Sequence, residues 1–184
     1  MDKKKTLTII MTLILIFALA GCSDSKDKES SSSPSQKDQE MSNIRVNVKF
    51  EKLCTDTAKE FKDNKNYPGI VDAYFSVNQE KMEITMNAIV DKGYPAEKTM
   101  DLADVLIRRF SANASSQYHE LSQPTKSSYG SIFDYYKINV AVAPIGTEKN
   151  PKEWYVYKII PAGRHLPEGT STVSKITLQD KYKK

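Results

Sequence analysis

Residues 70–90 read IVDAYFSVNQEKMEITMNAIV, and their reading decides the fold. Ala73, Phe75 and Val77 alternate with polar neighbours, as do Met82, Ile84, Met86, Ala88 and Val90. Alternation with period two is the signature of a half-buried strand, and two such runs around a short polar break predict a hairpin. Asn78-Gln79-Glu80-Lys81 supplies the break, giving strands over 70–77 and 82–90.

Working outward, Phe50, Leu53, Cys54, Ala58 and Phe61 recur at helical spacing. Asn64, Asn66, Pro68 and Gly69 then end the helix. Before it, Ile44, Val46, Val48 and Phe50 alternate with Arg45, Asn47 and Lys49, which predicts a strand running into the helix. After the hairpin, Gly93-Tyr94-Pro95 breaks the chain and Pro95 suits the first turn of a helix reaching about Ala112. Met100, Ala103, Leu106, Ile107 and Phe110 form its apolar stripe. Glu97 and Asp101 lie early and Arg108 and Arg109 late, which complements the helix dipole, and Asp104 and Arg108 can pair at i,i+4.

Residues 113–131 are polar and predict a long loop. A second hairpin is expected from Ile132–Ala143 and Glu153–Ile160 around Gly146–Pro151, with Tyr136, Ile138, Val140 and Val142 facing inward. Thr172–Leu178 reads as a weak edge strand and Lys181–Lys184 as a frayed tail. The expected order is β-α-β-β-α-β-β. It predicts an α+β domain over 44–184, an antiparallel sheet of four to five strands with two helices packed on one face. That order is similar to a ferredoxin-like arrangement with an extra strand, a likeness that carries no function.

The N-terminus carries a different signal. Lys3, Lys4 and Lys5 precede an uncharged run, Thr6–Ala20, shorter than the ~20 residues that span a bilayer. The run ends in Leu19-Ala20-Gly21-Cys22, followed by Ser23, Asp24 and Ser25 with no positive stop-transfer cluster. These residues resemble the signal peptide and lipobox of bacterial lipoproteins. The resemblance covers residues 1–22 alone. It implies that residues 1–21 are a signal peptide, that the Gly21–Cys22 bond is cut, and that the Cys22 sulfur takes a diacylglyceryl group. Acyl chains such as palmitate would then hold the protein on the extracytoplasmic face of a cell membrane, two chains being enough for stable anchoring at ~0.8 kcal/mol per buried CH₂.

Residues 22–43 read as a tether after the lipid site: Ser30-Ser31-Ser32-Ser33-Pro34-Ser35 sits among charges, with no apolar residue before Met41. The usage of lysine, isoleucine and asparagine suits a low-GC Gram-positive source.

The chain has 27 basic and 23 acidic residues; without Lys3, Lys4, Lys5 and Asp2 there remain 24 and 22. A nearly neutral mature chain with no basic cluster gives no reason to expect nucleic acid. With Cys22 committed to lipid, Cys54 has no disulfide partner, and on an apolar stripe it reads as a small core residue. His119 and His165 are isolated, so no metal site and no cofactor beyond the covalent lipid is expected. GxSxG, HExxH, Walker and GxGxxG motifs are absent, and Ser23-Asp24-Ser25-Lys26 matches SxxK only by chance.

Surplus aromatic surface concentrates in the second hairpin, at Tyr135, Trp154, Tyr155 and Tyr157. These rings are the candidate binding surface for an envelope protein or wall polymer. The leading expectation is therefore a non-enzymatic binding or adaptor domain. The alternative is a small envelope enzyme acting on wall glycan or peptide, with Asp72 or Asp91 at the strand ends. The chain is too short for the two lobes of a solute-capturing importer component. If Cys22 carries the anchor, Cys22→Ala leaves the chain uncut and without lipid, a mass difference that intact-protein mass spectrometry in membrane extracts reads directly.

Overall fold

The computed structural model describes residues 35–163 and 176–183. Residues 1–34, which hold Gly21 and Cys22, lie outside the described residues, as do Thr172–Lys175 of the expected edge strand. Among the described residues three α-helices and four strands follow in the order α1 (Gln36–Asn47), α2 (Phe50–Phe61), β1 (Ile70–Asn78), β2 (Glu83–Val90), α3 (Thr99–Gln117), β3 (Lys137–Pro144) and β4 (Val156–Ile160). The α+β class and the two hairpins stand. The all-antiparallel sheet and the leading strand do not.

The strand expected at Ile44–Phe50 is helical as far as Asn47, and α1 begins at Gln36, inside the stretch read as tether. Its start is set by a capping box. The Ser35 side chain accepts from the Asp38 amide, and Asp38 accepts from the Ser35 amide. The alternation at Ile44, Val46 and Val48 was misleading, because Val46 is 65 % exposed. The positions that pack inward are Met41, Ile44 and Val48, a helical spacing.

The sheet runs in the simple order β1-β2-β3-β4. β1 pairs antiparallel with β2, and β3 with β4, but β2 and β3 are parallel, with Glu83 opposite Lys137 and Val90 opposite Pro144. The reason lies in the connection. A tight turn reverses a strand, whereas a helix carries the chain back to where the previous strand began. The 19 residues of α3 rise about 28 Å, close to the ~26 Å of the 8-residue β2, so β3 starts level with the start of β2. With sequential neighbours side by side and no strand before α2 among the described residues, the sheet does not follow the ferredoxin-like arrangement.

One face of the sheet is the core. Ile84, Met86, Ala88 and Val90 of β2, and Ile138, Val140 and Val142 of β3, are almost completely buried. α3 packs over them through Leu106, Ile107 and Phe110, and α2 packs on β1 through Leu53 and Phe61. Phe61 and Phe110 flank Phe75, each with ring centroids 5.8 Å away. Asn113 belongs to α3, not to a loop, and donates to Thr57 Oγ1 at 3.0 Å and Glu60 Oε2 at 3.2 Å, tying α3 to α2.

α3 also runs past the expected end at Ala112, because Ala114 and Ser115 continue its buried stripe. The loop after it is pinned from the helix. Buried Asp104 holds Arg108 Nε at 2.6 Å, and the Arg108 guanidinium donates to the carbonyls of Thr125 and Lys126 and lies over the Tyr129 ring. Gly130 closes the loop at φ +92°, where an added Cβ would sit 2.3 Å from Ser111 Oγ and 2.7 Å from the Ser122 carbonyl. At the C-terminus the expected frayed tail instead makes a 3-10 turn, Asp180–Tyr182, and Leu178 lies in irregular backbone.

Asp104 is buried, but Arg108 is about a quarter exposed and keeps the Thr125 and Lys126 carbonyls when the carboxylate is removed. Asp104→Ala is therefore expected to lower unfolding stability by about 1–3 kcal/mol in urea titrations. Asp56→Ala, which breaks the exposed Lys52–Asp56 pair, should cost under ~1 kcal/mol.

Candidate functional site

The sheet face turned away from α2 and α3 groups three large exposed apolar side chains, whereas Val46 on α1 and Ile145 after β3 are exposed singly. Tyr74 is 58 % exposed, Tyr157 49 % and Ile159 50 %. All three are fixed there by strand alternation: Tyr74 lies between inward Ala73 and Phe75, and Tyr157 and Ile159 lie between inward Val156 and Ile160. Register places them in rows. Tyr74, Asn87, Ala141 and Tyr157 form one, and Ser76, Thr85, Asn139 and Ile159 form the next. Large side chains therefore stand on the outer strands and small or polar ones on the inner pair. Ala141 and Ala143 are buried yet lie outside the contiguous core. Three strand spacings separate the two tyrosines, about 14 Å.

Part of the polar surface of this face is paired, while the buried Asn139 Oδ1 has no hydrogen-bond partner among the described residues. Glu83 holds Lys137 Nζ at 2.7 Å and also accepts from the Asn139 side-chain amide. At the β1 end, the register shift between Ile70 and Asp72 leaves Val71 unpaired and exposed.

Of the four rings expected to form a binding surface, the structure brings together two. Trp154 meets Tyr157 edge to face at 5.5 Å, and its indole N–H donates to the Thr147 carbonyl at 2.9 Å. Tyr155 is 9 % exposed, covered by Tyr182 at a centroid distance of 4.7 Å. The C-terminal segment holds that contact in place: Gln179 N donates to Tyr155 O, and the Tyr182 hydroxyl donates to Glu153 O, each at 2.9 Å. Tyr135 lies just before β3, against α1, where its hydroxyl donates to Glu40. Burial, then the Glu40 carboxylate, pushes its phenol up to about 12. Tyr135 and Tyr155 are therefore structural contacts of α1 and of the C-terminus, and the surface ring that sequence reasoning missed is Tyr74. Its signal was present: it is the outward aromatic between two inward positions of β1.

A second feature lies at one end of the sheet. Where β1 begins, β2 ends and α3 starts, a cleft of about 750 Å³ opens between Tyr67 and Tyr94. α1 sits at the other end, where Arg45 donates to the Gln79 carbonyl in the β1–β2 turn and Glu40 meets Tyr135. Of the two acids named for an enzyme, Asp91 lines this cleft. Asp72 is paired with Lys62 at 2.7 Å, which with the Ala73 amide holds its carboxyl below the usual range.

Cys54 is half-buried on α2, and burial pushes its thiol up to about 11. A thiol so protonated is a poor nucleophile. Because the native state favours the neutral form, this group's contribution to stability is complete below the unfolded thiol pKa of about 8.5 and is lost as pH rises through about 11. In a Cys22→Ala chain, disulfide-exchange labelling of Cys54 should be slow at pH 8 and become rapid on denaturation. Among the described residues no three His, Cys, Asp or Glu side chains gather as a metal site, and no helix is long and apolar enough to cross a membrane. The chain matches no protein-family model, no curated protein and no solved structure, so its own residues carry the functional argument.

Proposed function

We propose that the chain is a lipid-anchored envelope protein, held through Cys22 on the extracytoplasmic face of the membrane, whose folded part is a non-enzymatic adaptor that docks a protein partner on the open sheet face. The observation that carries the docking part is the row Tyr74–Asn87–Ala141–Tyr157, with Ile159 beside it. Exposed aromatic and aliphatic side chains grouped on one face are the usual material of an interface centre. The aliphatic members decide between partners. Rings stack on sugars, but Ile159 and Val71 gain little from a sugar and more from burial against protein.

The size of the face suggests how such a docking works. About 14 Å across and ~26 Å along the strands gives roughly 400 Å², half of the ~800 Å² that each side of a stable complex contributes. A contact of that size is weak on its own. Tethering both partners to one membrane raises their effective concentration and makes a weak contact productive. The anchor and the face thus support one another in this reading.

The test is in-cell crosslinking and pull-down of the full chain, of Cys22→Ala, and of a Tyr74→Ser/Tyr157→Ser double variant. A defined protein partner should be recovered with the full chain and fall about tenfold with either change, the double variant keeping its melting temperature. Equal recovery with the double variant would remove the face from the proposal. Retention by purified wall material, with no protein partner, would overturn the adaptor reading in favour of polymer binding.

A further inference from the structure

The cleft at the β1–β2–α3 end is separate from the open face and has its own chemistry. Two aromatic rings, Tyr67 and Tyr94, line it together with Ile70, Leu102 and Val105. Both rings are held before any ligand arrives. Tyr67 packs on Phe61 at 4.5 Å, and its hydroxyl donates to Glu60 at 3.3 Å, a carboxylate that Arg109 and Asn113 also hold. Tyr94 is pressed against the backbone of Gly69, where an added Cβ would lie 2.9 Å from its ring. Gly69 has φ +84°, so no other residue fits there without strain. The turn beneath is tight: Asp91 N donates to Gly69 O, and Tyr94 N to Asp91 O, each at 2.9 Å.

The charge at the mouth has a sign. Asp91 and Asp101 face one cation, Lys98, and among the described residues none of the three makes an ion pair. Burial, with Asp101 nearby, raises the Tyr94 phenol. A volume of about 750 Å³ is that of an organic ligand and far exceeds a metal ion. Two rings, an apolar lining and two carboxylates against one lysine are complementary to an ammonium group carried on a hydrocarbon stem.

We propose that this cleft binds a primary alkylammonium on an apolar stem, the chemistry of a lysine side chain, with the stem between Tyr67 and Tyr94 and the ammonium at Asp91 and Asp101. This site is independent of the open face, and its test does not depend on the lipid anchor.

The probe is acetyl-lysine-amide, acetylated on its α-nitrogen only. It is titrated calorimetrically into the full chain in detergent micelles, with the matching norleucine amide as the uncharged stem. Binding of the lysine amide is expected, with the norleucine amide at least about tenfold weaker. Asp91→Asn/Asp101→Asn should weaken it by a further factor of about ten, while Lys98→Met, which removes the competing cation, should tighten it about threefold. Tyr94→Leu should weaken it about threefold at unchanged melting temperature. Cadaverine serves as the free-diamine arm: affinity equal to the lysine amide assigns a free amine, and weaker affinity assigns a peptide-borne one. The proposal is overturned if the norleucine amide binds equally well, if the Asn pair leaves lysine-amide binding unchanged while Lys98→Met does not tighten it, or if no probe binds.

Discussion

The architecture depends on burying one face of β2 and β3 under α3. Ile84, Met86, Ala88 and Val90 face Leu106, Ile107 and Phe110 across that contact, and all are almost fully removed from water. Each large side chain there is worth about 1.5–3 kcal/mol of burial. The contact also sets topology. To return across this face, α3 runs back against the direction of β2, which leaves β3 to begin beside the start of β2 and to pair in parallel. Both hairpins then extend the sheet outward, with β1 and β4 at the edges.

Covering one face leaves the other open, and the two candidate sites follow from that asymmetry. Tyr74 and Tyr157 stand on the outer strands because the helices occupy the opposite side. The cleft between Tyr67 and Tyr94 exists because the chain turns sharply twice at one end of the sheet, into β1 at Gly69 and out of β2 toward α3. α1 lies at the far end, joined to Gln79 and Tyr135. The open face and the cleft are therefore separate consequences of one packing arrangement.

Much of the fold was legible in residues whose pattern is local. The hairpin over 70–90 and the helix from Phe50 to Phe61 follow from period two and period 3.6 alone. The alternating run at Ile44–Phe50 is not a strand, because the Ser35–Asp38 capping box upstream starts a helix that runs through Asn47. Of the aromatic set, Trp154 and Tyr157 stayed on the surface. Tyr135 and Tyr155 were claimed by Glu40 and Tyr182, partners 95 and 27 positions away in the chain. Tyr67 and Tyr94 gave no local signal of a shared cleft, since each read only as part of a loop between elements.

The sequence by itself determined which residues alternate, which recur at helical spacing, and where glycine and proline interrupt them, because these are properties of a few consecutive residues. It also carries the lipobox-like stretch ending at Cys22, a motif whose recognition requires no fold. Only the tertiary structure decided that β2 and β3 are parallel, that Tyr155 is covered while Tyr74 is free, and that Asp91 shares a cleft with Asp101 while Asp72 pairs with Lys62. Those outcomes depend on contacts between segments far apart in the chain, where packing and loop closure choose among partners that local pattern leaves equivalent.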